Sequence, residues 1–211
     1  SALMATPEKA REIFKAVVNA VNVPVTVKTR TGTDTENKNA LQMAQIAEEE
    51  GLQAITIHGR TREEKFAGTA EYGTIKQVKQ QVNIPVIANG DICTPEQAHF
   101  VLKYTAADGI MIGRASQGNP WIFRELNHYL KTGEHLASPS ITEYQHTMLQ
   151  HILGLHNLYG ETLGVRIARK HIGWYAQNIP NGTLLRKEFN LLNSATEQLR
   201  LLEEYFKQLL K

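Results

Sequence analysis

Lys28, His58, Asn89, Asp91 and Arg114 each stand at or just past the end of a short apolar run, and these are the residues that could do chemistry. Lys28 follows Val25-Thr26-Val27. A charge among buried apolar neighbours must be paired or bound to a ligand. It could steady an electron-rich ring or an anionic cofactor, or it could snorkel to the surface. His58 follows Ile55-Thr56-Ile57 and suits a hydrogen bond to a cofactor or substrate, or a structural role. Asn89-Gly90-Asp91 offers donors, acceptors and close backbone approach; its plainer reading is an Asx-type turn opening the next helix. Gly113-Arg114 supplies backbone N–H groups and a cation, which suits a phosphate, with Gln117 and Gly118 extending the loop. The alternative there is a packing glycine and a paired arginine. Cys93, the only thiol, lies at a helix start, where its pKa would fall, but is read as a small, partly buried residue.

A second group lies in the tail. Arg166, Arg169 and Lys170 are spaced i, i+3, i+4 and so share a helix face. His171, Trp174 and Tyr175 follow. Basic residues beside aromatics suit a phosphate backbone and unstacked bases; the competing expectation puts at least one of Trp174 and Tyr175 in a helical core.

The elements that must position these groups are legible. Four runs, near 24–30, 54–60, 85–91 and 109–114, are separated by helical patterns. Thr6-Pro7-Glu8 reads as a capped helix start, with Ile13, Val17, Val18 and Val21 as its apolar stripe. Helices follow near 37–50, 73–82 and 94–105, the last opened by Thr94-Pro95-Glu96. Strands joined through helices pair in parallel, and in (β/α)8 barrels the strand C-termini form the active-site face. The expected fold is α/β: half of a TIM barrel, residues 1–125, followed by a small helical bundle, 126–211, with helices over 142–159, 162–178, 183–192 and 194–210.

Composition narrows the classes. The chain has 211 residues and four legible strands, so a complete barrel does not fit. One cysteine argues against a disulfide framework or a Cys-rich metal site. No apolar run approaches a membrane span, and the start lacks a signal-peptide pattern; a cytoplasmic protein is expected. Residues 1–125 carry fourteen Lys/Arg and fourteen Asp/Glu, whereas 126–211 carry nine against seven, so the positive excess lies in the tail. No acid occurs within 166–187. A basic tail is compatible with a nucleic-acid partner.

Taken together, Pro24-Val25-Thr26-Val27-Lys28-Thr29-Arg30-Thr31-Gly32, Ile55-Thr56-Ile57-His58-Gly59-Arg60-Thr61-Arg62, Ile84-Pro85-Val86-Ile87-Ala88-Asn89-Gly90-Asp91, Met111-Ile112-Gly113-Arg114-Ala115, Gly118-Asn119-Pro120-Trp121-Ile122-Phe123-Arg124-Glu125 and Arg166-Ile167-Ala168-Arg169-Lys170-His171 resemble the tRNA-dihydrouridine synthases, in their bacterial B-type branch. The resemblance implies an FMN enzyme that reduces uridine to 5,6-dihydrouridine in tRNA, with NADPH as reductant. It implies that Lys28 and His58 contact the flavin, that Asn89, Gly90, Asp91, Gly113 and Arg114 serve its phosphate end, and that Arg166, Arg169 and Lys170 lie in the tRNA-binding helical domain. The family's general acid is a Cys in an Asn-x-x-Cys-Pro motif, which does not occur in this chain. The implied chain is the C-terminal part of such a synthase, without a catalytic acid of its own, and its open barrel edges would favour a homodimer. Two other readings are an FMN barrel oxidoreductase acting on a small molecule and a tRNA-binding module without catalysis.

Overall fold

A computed structural model describes residues 2–210. It divides between Gly113 and Arg114 into two compact units. The first alternates strands and helices: α1 (Pro7–Ala20), β1 (Thr26–Arg30), α2 (Ala40–Glu49), β2 (Ala54–His58), α3 (Gly73–Lys79), β3 (Val86–Asn89), α4 (Pro95–Thr105) and β4 (Gly109–Met111). The strands form one parallel sheet in the order β1-β2-β3-β4. This is the expected α/β architecture of a half-barrel.

Register and pleat assign the two faces. Side chains alternate along a strand, so partners in register share a face. Ile55, Ile57, Val86 and Ala88 point one way and are fully buried. The inward residues of the helices, Ala44 and Ala47 of α2, Ile75 and Val78 of α3, and Ala98 and Val101 of α4, are buried as well. The other face carries Lys28, Thr56, Ile87 and Gly109 in one cross-strand row and Arg30, His58, Asn89 and Met111 in the next. Packing thus commits one face of the sheet to the core and leaves the polar strand ends on the other.

One local expectation fails. Thr6 sits at the N-cap of α1, but its side chain accepts no capping bond from the helix. Of the apolar stripe, Ile13, Val17 and Val21 are exposed and Val18 is half-buried; Ala10 is buried instead, with Phe14 against the same cluster as Met4 and Met43. Helical spacing found an apolar stripe, but α1 has a second one, and it is the face of Ala10 and Phe14 that packs against Met4 and Met43. The capping box of α4, between Thr94 and Gln97, forms as its sequence suggests.

The second unit is helical: α5 (Ile122–Thr132), α6 (Ile141–Tyr175), α7 (Gly182–Leu191) and α8 (Ala195–Leu209). Gly160, at φ 72° and ψ 178°, breaks α6, so its two arms match the two helices expected there. Gly164 lets the arms approach: a Cβ on it would stand 2.9 Å from His156 Cα. Met148, Ile152, Ala168, Ile172, Tyr175, Leu185, Phe189, Leu202 and Phe206 build the core. The unit begins earlier than the expected 125/126 boundary because Trp121 joins this core, its ring centroid 4.3 Å from that of Tyr144. Arg124 also pairs with Glu143 at 2.9 Å. Among the described residues, no helix is long and apolar enough to cross a membrane.

Candidate functional site

The C-terminal ends of β1, β2 and β3 bring Lys28, Arg30, His58 and Asn89 onto one face. Arg30, His58 and Asn89 are level in the cross-strand register, and Lys28 lies one row below. The two rows hold two cations and no carboxylate. Desolvation by the sheet and then the Arg30 charge hold the Lys28 ammonium below its ordinary pKa. Desolvation, followed by the charges of Arg30, Lys28 and Arg60, pushes the His58 imidazole down to about 4. His58 is therefore neutral at physiological pH. Its Nε2 is buried and has no hydrogen-bond partner. A buried polar atom left unmade is costly, and the charges that act on this one are those of Arg30, Lys28 and Arg60. Residues of this kind could hold an electron-rich or anionic ring.

The neutral histidine has a measurable consequence. Its folded pKa lies below the ordinary 6.5, so between those values the unfolded chain binds the extra proton. Stability from this group is present above pH 6.5 and is lost as pH falls toward 4. An NMR titration should place the His58 midpoint near 4, and His58→Gln should flatten the acid limb of stability over that window. A midpoint near 6.5 would show that the imidazole is not desolvated.

Asn89 is buried, and its Nδ2 donates to the Met111 carbonyl at 2.7 Å. Asp91 is placed differently from expectation. Its carboxylate takes a two-pronged bond from Arg60, at 2.9 and 2.6 Å, and one from the Ala70 N–H at 2.9 Å. The side chain is committed to the protein, which leaves the backbone of Gly90-Asp91 as what this turn can offer a ligand. Gly90 (φ 123°) is required by packing: a Cβ there would stand 2.7 Å from the Ala70 methyl. Arg60 was no more than part of a motif in the sequence. It is buried and also donates from Nε to Ala67 O and from Nη2 to Gly68 O, so it ties the β2–α3 loop to the end of β3.

Gly113 ends the first unit, with open space where its Cβ would stand. Arg114 opens the 3-10 turn Arg114–Ser116 of the second unit and is exposed. Gly118 serves packing rather than a ligand: a Cβ would stand 2.5 Å from the Trp174 carbonyl carbon. Cys93 is exposed, not partly buried, at the start of α4.

In the helical unit, the face of Arg166, Arg169 and Lys170 divides. Arg166 and Lys170 are exposed, and the Lys170 ammonium sits 5.2 Å from the Trp174 ring centroid. Arg169 turns inward and donates to Leu192 O and Asn193 Oδ1, both at 2.9 Å, closing the α7–α8 connection. Trp174 is half-buried, while Tyr175 is in the core with its hydroxyl 3.0 Å from His151 Nδ1. The exposed polar surface here is two cations and an indole.

The family model for dihydrouridine synthase matches residues 1–211. The chain belongs to the dihydrouridine synthase family. It is 54% identical over 206 residues to a tRNA-dihydrouridine synthase B of Vibrio cholerae, covering 98% of this chain and 64% of that protein. It is 51% identical over 208 residues to its namesake in Pseudomonas putida, covering 99% of this chain and 62% of that protein, and 54% identical over 209 residues to that of Yersinia pestis, covering 99% and 65%. The chain thus spans a little under two thirds of the length of these curated dihydrouridine synthase relatives.

Proposed function

We propose that this chain supplies the cofactor-facing strands and the RNA-binding helical unit of an FMN- and NADPH-dependent enzyme that reduces uridine to 5,6-dihydrouridine in tRNA. The observation that supports it most is the unpartnered Nε2 of a neutral His58, flanked by Lys28 and Arg30 at the strand ends. In this reading FMN, once bound, supplies the hydride that reaches the uracil ring. Lys28 would place a positive charge beside the ring system, and the neutral His58 would offer it a hydrogen bond. Asn89, the backbone of Gly90-Asp91 and Gly113 would serve the phosphate end. No residue of this chain is assigned as the acid that protonates the uracil, because the Asn-x-x-Cys-Pro motif does not occur here and Cys93 does not match it.

A chimera tests the proposal. This chain is exchanged for the matching part of the Vibrio cholerae relative and expressed in a strain lacking its own dihydrouridine synthases. Dihydrouridine in tRNA is expected, and Lys28→Met should abolish it. A stable, flavin-loaded chimera that forms none would overturn the reading, as would undiminished activity with Lys28→Met.

The corrected cationic face makes a sharper RNA prediction. Arg166→Ala with Lys170→Ala should weaken tRNA binding and flatten its salt dependence, by up to about 0.9 in slope for each lost phosphate contact. Arg169→Ala should destabilise the helical unit instead. An unchanged slope in the double variant would remove this face from the interface. Soluble, cytoplasmic action on tRNA belongs to the same proposal. So does a homodimer of the chain on its own, closed through the outer edges of β1 and β4; sedimentation at micromolar concentration reads its mass.

A further inference from the structure

We propose that Phe66, presented by the β2–α3 loop and backed by the Arg30 guanidinium, is a stacking platform for an unpaired nucleobase of the RNA substrate. The proposal rests on the RNA partner argued above and adds a specific contact to it. Phe66 is 62% exposed, although it sits in a loop tied down on both sides. The Arg62 N–H donates to Gly32 O and the Glu63 N–H to Thr33 O. The Glu64 carboxylate accepts from the N–H and the hydroxyl of Thr61. Arg60 holds the carbonyls of Ala67 and Gly68, and Arg30 holds those of Thr61 and Lys65. A loop this constrained cannot fold Phe66 inward to hide it from water.

The backbone leading into the ring is strained in the same sense. Lys65 adopts φ 52°, a conformation rare for a side chain other than glycine. Strain of this kind persists where the surroundings enforce it, and it clusters at functional sites. Its effect here is to bring an exposed Lys65 and an exposed Phe66 to the tip beside an exposed Arg62. The acids do not cancel this: Glu64 is taken up by Thr61, and Glu63 alone is exposed.

Placement ties the ring to the site. The Arg30 guanidinium carbon lies 5.9 Å from the Phe66 ring centroid, a cation–π distance. Arg30 is level with His58 and Asn89 in the sheet. The ring therefore stands beside the row to which the cofactor was assigned, where a base drawn out of folded RNA would arrive. Every base offers a π-face, so an aromatic platform with flanking cations binds single-stranded nucleic acid without reading its sequence. A lone exposed apolar residue is ordinary on a protein surface; an aromatic ring fixed at both flanks, backed by a guanidinium and adjacent to the site, is not a lone residue.

The test compares Phe66→Ala and Phe66→Trp with the parent chain in tRNA binding across a salt series. Phe66→Ala should weaken binding about 5- to 150-fold, the range for loss of one stacked base, with the salt slope and the unfolding midpoint unchanged. Phe66→Trp should restore affinity, and its emission, after subtraction of the parent's, should be quenched by tRNA. Parental affinity in Phe66→Ala, or a Phe66→Trp emission indifferent to tRNA, overturns the platform while leaving the RNA partner standing. Failure of the parent chain to bind tRNA overturns both.

Discussion

Replacement of Arg60 by Met is expected to destabilise the α/β unit by about 3 kcal/mol, the low end of what breaking a buried ion pair costs. The guanidinium is 2% exposed and has four hydrogen bonds: two to Asp91, one to Ala67 O and one to Gly68 O. Met fills much of the same volume, so the loss is electrostatic rather than a cavity. It strands a carboxylate that also holds the Ala70 N–H, and two loop carbonyls. The low end applies because Asp91 keeps 29% side-chain exposure, so water recovers part of its solvation. Arg60→Lys keeps the charge but not the planar fork, and should recover less than half of the loss. Pairing Arg60→Met with Asp91→Leu should cost less than the sum of the two single changes, since each alone leaves a partner unmatched. Hydrogen exchange should show the damage first at residues 61–70. Additive single and double costs in urea unfolding would mean that the pair is not coupled.

That pair also shows what was legible in the sequence and what was not. The four strand ends were readable because parallel strands buried on one face are short apolar runs that turn polar where the chain emerges. The position of Lys28, His58 and Asn89 on one face followed from those runs. The role of Asp91 did not, because it was weighed as a single residue. Only the structure shows the pairing: His58 pairs with Asn89 in register, and Arg60 and Asp91, two residues beyond each, meet in the loops that follow. An Arg and an Asp so placed after adjacent strands will find each other before either finds a ligand. Arg169 carried no signal in the sequence either. Its spacing from Arg166 and Lys170 is right for one helix face, but that face is wide, and only the α7–α8 connection decides which edge of it is covered. The two stripes of α1 show the same limit: periodicity finds apolar faces without ranking them, and packing around Met4 and Met43 chose the face of Ala10.

Gly118→Ala is expected to cost the helical unit about 2–5 kcal/mol, combining left-handed strain for a residue with a Cβ and the collision of an added methyl with a packed neighbour. Gly118 adopts φ 69°, and its Cβ would stand 2.5 Å from the carbonyl carbon of Trp174, 2.7 Å from its oxygen and 2.7 Å from the Tyr175 nitrogen. These are backbone atoms near the end of α6, so no side-chain rotation relieves the contact. One side must move, and both sides belong to the same core: Trp121 follows Gly118 by three residues, and Tyr175 is buried within it. The glycine looked like part of a phosphate loop because such loops are glycine-rich; the structure gives it a helix end to lie against instead. The protein's two tryptophans, Trp121 and Trp174, both flank this contact, so indole emission reports directly on the unit that the substitution strains. Urea unfolding followed by that emission should shift to clearly lower denaturant for Gly118→Ala. Gly133→Ala, which shares the positive φ but meets nothing within 4 Å, should lose only the conformational part. Equal losses in the two variants would show that conformation alone, and not the close approach to Trp174, makes glycine necessary at position 118.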